Sequence, residues 1–153
     1  MSILGKTTYL RQAHRKQAPE LTNCFSAIYY IFRRTVRLHV PYAFIGDMPR
    51  IFCASGQWRP LYIERSDAKY GDVLFVGERG SKRIISHVAL IHGVDQIFHC
   101  SRRAGTAVIQ TDSEFFSHYK QGFNFKQMVS YIDPRNEEWT GTRSFGIIFS
   151  NIQ

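Results

Sequence analysis

Cys24, His87 and His99 are side chains that together can do nucleophilic chemistry. A thiol becomes an effective nucleophile when a base takes its proton, and the base works best when a third group orients it. Cys24 lies in "ELTNCFSAIYYIFRR" (20–34), where a polar stretch turns abruptly apolar, as at the first turn of a buried helix. With Thr22 or Asn23 as N-cap, the unpaired N–H groups and dipole of that helix end predict a lowered thiol pKa. His87 and His99 fall in two β-like runs, "SHVALIHG" (86–93) and "QIFHCS" (96–101), with residue 93 midway between them. Opposite residues of an antiparallel hairpin keep a constant index sum, so a three- or five-residue loop centred on Gly93 sets the histidines directly across from each other. A two-residue loop throws them onto opposite faces. Glycine at the centre favours the odd loop, which gives His87 to the thiol and His99 to the far nitrogen of the His87 ring.

The same three residues have other readings. As zinc ligands they match no structural zinc spacing, and a helix N-terminus stabilises a thiolate without a metal, so neither metal nor cofactor is expected. His14, His39, His92 and His118 read as packed or surface residues, and Cys53 and Cys100 as inert filler.

The elements that must hold these groups follow from periodicity. Residues 6–17, "KTTYLRQAHRKQ", read as a short amphipathic helix ending before Pro19. A buried helix runs from about Cys24 to Arg37, with Phe25, Ile28, Phe32 and Val36 on one face. Pro41, Pro49, Gly56 and Pro60 mark residues 41–70 as an irregular connection. Strands are expected at 72–77, 86–93, 96–101 and 106–111, then a short helix over 112–120 capped by Asp112 or Ser113. Strands at 125–133 and 144–151 close the chain. Helices in front of an antiparallel sheet make this an α+β protein, and 153 residues suit one domain over 1–153.

Composition narrows the function. Hydrophobic residues make up 44% and charged residues 21%, a globular mix with no apolar stretch near the roughly 20 residues of a membrane span. Three cysteines without a CxxC pair argue against a disulfide framework. "MSILGKTTYLRQ" lacks a signal-peptide pattern, so the chain is expected to be cytoplasmic as synthesised. The net charge of +8 suits an anionic partner, but the basic residues are scattered in pairs and no nucleic-acid-binding signature accompanies them, so no nucleic acid is expected.

"NCFSAIYYIFRR", "RSDAKYGDVLFVG" and "SHVALIHGVDQIFHCS", in that order, resemble the NlpC family of cell-wall cysteine peptidases. "FKQMVSYIDPR" resembles that family's closing strand, so the likeness runs from about Asn23 to Tyr131. The resemblance implies a papain-like fold, with N-terminal helices and the nucleophile at a helix start, packed on an antiparallel sheet or partial barrel of about five or six strands. It also implies Cys24 as nucleophile with its N–H in the oxyanion hole, His87 as base and His99 as the orienting group. Its expected reaction is cleavage of the γ-D-glutamyl–diaminopimelate bond of peptidoglycan stem peptides through a thioester. Asn23 and Phe25 stand where that family usually has aspartate and serine, the upstream Tyr-x-Trp-Gly-Gly motif is missing, and Tyr9 is a poor match for its tyrosine. The catalytic set is therefore retained while the substrate-reading set is changed. The expected partner is a peptidoglycan fragment or another amide, acted on by a monomer, with a cognate inhibitor and signal-peptide-independent export as further expectations. The alternatives are an amidase, deamidase or acyltransferase effector or toxin using the same triad, and a catalytically silent binding module.

Overall fold

The computed structural model describes residues 3–35, 44–61, 63–121, 123–124, 143–144 and 147–151. The polar-to-apolar boundary does begin a helix, α1 (Cys24–Thr35). Phe25, Ala27, Ile28 and Phe32 are buried along it. Val36 and Arg37, expected to continue it, lie outside the described residues.

The amphipathic helix expected over 6–17 is not formed. Residues 8 and 9 are instead strand β1 (Thr8–Tyr9), paired in parallel with β2 (Leu21–Thr22), and Arg15–Gln17 make one 3₁₀ turn. Tertiary partners override the local pattern: Thr7 Oγ1 lies 2.8 Å from Thr22 Oγ1, and the Thr8 N–H donates to the Glu20 carbonyl. The connection expected to be irregular also contains structure, α2 (Met48–Ala54) and β3 (Trp58–Leu61). Pro49 does not break α2 because it stands in the first turn, where its missing N–H has no helical partner to lose.

The remaining strands are β4 (Val73–Val76), β5 (His87–Gly93), β6 (Gln96–Cys100), β7 (Ala107–Gln110), β8 (Phe123–Asn124), β9 (Arg143–Ser144) and β10 (Ile147–Asn151). Helix α3 (Asp112–Phe116) follows β7. The main sheet has six strands in the order β3-β10-β4-β5-β6-β7, with every pair antiparallel. The expected strand over 125–133 lies outside the described residues. The fold is α+β, and a helix starting at Cys24 against this sheet is compatible with the papain-like arrangement.

Side-chain alternation divides the sheet into two faces. Val88, Leu90, Phe98 and Cys100 pack with Phe25, Ile28 and Phe32 of α1 and Phe52 of α2. Ala89, Ile91 and Ile97 point the other way and pack with Phe115, Phe116 and Tyr119. Two turns set the strands that matter most. Gly71, at φ 92°, lets the Asp72 N–H reach the Lys69 carbonyl in a tight turn that launches β4, which explains the "YGD" stretch. Gly77 admits the segment leading into β5, since a Cβ there would collide with the carbonyl oxygens of Ile84 and Arg83.

The hairpin between β5 and β6 differs from expectation in an instructive way. Its loop is the two-residue Val94–Asp95, with Asp95 at φ 54°, because Gly93 pairs with Gln96. A register shift between Ile91 and Gly93 then restores Ile91↔Ile97 and Leu90↔Phe98. Extending that register puts His99 opposite Ala89, so the histidines are diagonal neighbours rather than direct partners. The bulge supplies the parity that the even loop lacks, and both rings remain on one face.

Candidate active site

Asn23 is the N-cap of α1. Its Oδ1 accepts from the Ser26 N–H at 2.8 Å, and Ser26 Oγ accepts from the Asn23 N–H at 2.9 Å. This reciprocal box fixes the helix start and places the N–H groups of Cys24 and Phe25 to act on the thiol. Both do so, together with the backbone of Val88 on β5. Val88 is the residue after His87, so the thiol meets the strand one position from that histidine.

The expected lowering of the Cys24 pKa is overturned. Burial pushes the thiol up to about 11, and the backbone groups of Val88, Phe25 and Cys24 itself oppose that only in part. Cys24 keeps some surface exposure, but the protein packed around it disfavours a charge more than one helix end favours it. His87 is pushed well below its ordinary 6.5 by burial and then by the neighbouring His99. At neutral pH the pair at rest is therefore a thiol and a neutral imidazole.

The two histidines are joined. His87 Nε2 lies 2.9 Å from His99 Nδ1, with the rings nearly perpendicular. His87 stacks on Tyr119, the centroids 4.5 Å apart and the planes within 11°. His99 meets Phe115 edge-on at 5.0 Å, and its Nε2 lies 2.7 Å from Gln110 Oε1. Burial lowers the His99 pKa; the hydrogen bond to Gln110 opposes this, and the nearby His118 adds to it. The layer that holds the rings is itself anchored. Thr111, not Asp112 or Ser113, caps α3 in a box with Glu114, and Arg65 ties Asp112 to the Gly93 carbonyl at the hairpin end.

The structure thus brings Cys24, His87 and His99 to the same end of β5, and it adds two residues the sequence reading missed. Tyr119 stands four positions after Phe115, a helical spacing that was a usable signal. Gln110 ends β7 and had none, since its role depends on a neighbour eleven residues away. Burial raises the Tyr9 pKa, and the nearby Cys24 adds to that. Cys100 is buried with its sulfur 3.3 Å from Thr22 Oγ1. His14 caps the 3₁₀ turn, His92 pairs with Gln96, and His39 lies outside the described residues. Among the described residues, no group of three or more His, Cys, Asp or Glu side chains is arranged to hold a metal ion.

A sequence model of bacteriophage peptidoglycan hydrolases matches residues 2–137, a span that contains every residue of this cluster. The chain belongs to the bacteriophage peptidoglycan hydrolase family. It is therefore a cell-wall hydrolase, and the cluster at the start of β5 is the candidate centre of this peptidoglycan hydrolase. β10 lies beyond the matched residues, yet it is inserted between β3 and β4 of the main sheet. A search of curated proteins found no match to the hydrolase.

Proposed function

We propose that the protein is a cysteine hydrolase that cuts an amide bond in the stem peptide of peptidoglycan. In this reading Cys24 is the nucleophile, His87 the general base and His99 the orienting group. The observation that carries it is the His87–His99 hydrogen bond, made on a strand whose next residue touches the thiol of a capped helix start.

His87 engages His99 through Nε2, which leaves Nδ1 for the thiol. The Cys24 proton passes to Nδ1 as the sulfur attacks the carbonyl carbon, and the resulting oxyanion is met by the Cys24 N–H. Collapse breaks the C–N bond while His87 returns the proton to the leaving amine, giving a thioester. Water then attacks the thioester with His87 as base, releasing the carboxylic acid and restoring the thiol. Because the resting pair is neutral, proton transfer accompanies attack instead of preceding it, in place of the lowered thiol pKa expected from the helix dipole. The resemblance to the NlpC family points to the γ-D-glutamyl–diaminopimelate bond. The capping role of Asn23 fits a changed substrate-reading set, since its side chain is occupied by Ser26 and the Arg11 and Ala13 carbonyls.

The test is digestion of purified peptidoglycan, with products identified by mass spectrometry. New amine and carboxylate ends within the stem peptide, lost in Cys24→Ala without loss of fold, are expected. Cleavage in the glycan strand, or full activity of Cys24→Ala, would sink the proposal.

A further inference from the structure

We infer that Gln110 is a positioning residue that sets the direction of a proton relay running His99–His87–Cys24; the relay's link to turnover rests on the cysteine reading above. The argument starts from what each atom is able to do. An amide oxygen only accepts hydrogen bonds, so the 2.7 Å contact with Gln110 Oε1 requires His99 Nε2 to carry the proton. A neutral imidazole has one N–H, which leaves His99 Nδ1 bare. Nδ1 then accepts across the 2.9 Å contact, so His87 Nε2 carries the proton and His87 Nδ1 is bare. A bare Nδ1 is what a base facing a neutral thiol requires. Turning the amide end for end would reverse every donor in the chain and put an N–H on His87 Nδ1.

Its chemistry also explains why glutamine suits the position better than glutamate. When His87 receives the thiol proton it becomes a cation that donates through Nε2 to His99. His99 must then be neutral, since an imidazolium would oppose His87 both in charge and in donor direction. Around His99 stand His87 on β5, Gln110 on β7, Phe115 on α3, and His118 and Tyr119 just beyond it, and of these the Gln110 hydrogen bond favours the charged ring. Burial and His118 both disfavour charge on the ring. A neutral acceptor orients His99 without charging it, whereas a carboxylate would stabilise the imidazolium.

Histidine side-chain nitrogen NMR on the full chain reads the relay directly, with no turnover needed. In the wild type, His87 and His99 are expected as Nε2–H tautomers, each with a bare Nδ1. Gln110→Met keeps the length but removes the acceptor, so this preference should disappear from both rings. Its kcat should fall by roughly tenfold or more with KM unchanged, as for other losses of base orientation. Gln110→Glu only accepts, so it should restore the tautomers and most of kcat, with the acidic limb of the pH profile moved to higher pH. An Nδ1–H tautomer at His99 in the wild type, or unchanged tautomers and kcat in Gln110→Met, overturns the inference. Failure of the cysteine reading looks different, as hydrolysis that survives Cys24→Ala, and the NMR arm judges the relay independently of it.

Discussion

A neutral, half-buried thiol near a buried neutral imidazole behaves differently from a thiolate–imidazolium pair, and the difference is measurable at Cys24. With the thiol at about 11, alkylation by iodoacetamide should be slow at pH 6 and climb well above pH 8. Fast labelling near pH 6, located at Cys24 by mass spectrometry, would mean that the ion pair forms after all. Hydrolysis should give the complementary result. In its proposed role as base His87 accepts a proton only while neutral, so activity should be lost as pH falls through its pKa, which burial holds well below 6.5. The acidic limb of kcat/KM should accordingly lie below pH 6.5, and a limb above that value would contradict the resting state described. At His99 the requirement is for an acceptor. His99→Ala should reduce kcat strongly, while His99→Asn or His99→Gln should retain part of it. If all three variants hydrolyse peptidoglycan at the wild-type rate, His99 has no orienting role.

At the level of elements, the site depends on two close fits outside it. Gly77 lies under the segment that leads into β5, where the Ser86 N–H donates to the Val76 carbonyl and the Glu78 N–H to Ser86 Oγ. Gly77→Ala should destabilise the fold by roughly 1–3 kcal/mol through overpacking against backbone. Thr111→Ala removes the α3 cap and should cost about 1 kcal/mol. Chemical denaturation measures both, and an unchanged midpoint in Gly77→Ala would show that the segment yields. These fits also explain what was legible in the sequence. β4 to β7 were readable because four apolar runs are punctuated by Gly71, Gly77, Gly93 and Gly105, and α1 because its cap is local. The bulge was not readable, since an even loop and a register shift leave no residue pattern beyond one glycine. Nor was α2, because proline was read as a breaker where it opens a helix. Residues 6–17 misled because Thr7 and Thr8 find their partners at Thr22 and Glu20, which no local periodicity encodes. The catalytic candidates were legible as residue types, but their protonation states were not, since burial and neighbours brought close only by the fold decide those.

Across the whole molecule, two buried neutral histidines make stability depend on pH. Both have folded pKa values below 6.5, so below that pH the unfolded chain binds protons that the folded chain refuses. Stability from these groups is fully present above pH 6.5 and is lost as pH falls from there. Asp72, its pKa raised by burial from the ordinary 3.8, acts in the opposite sense. The Tm should therefore drop between pH 7.5 and pH 5.5, and a flat Tm over that range would mean that the rings are solvated. The two faces of the sheet have a last consequence. Cys24 rides on a helix seated against one face, while His87 and His99 are held by the rings seated against the other. On the proposed cysteine reading, neither layer carries a working site alone, and hydrolysis acts as a coincidence detector for complete assembly. On that reading, a chain caught half-folded, with the sheet formed and one layer still undocked, would leave peptidoglycan uncut.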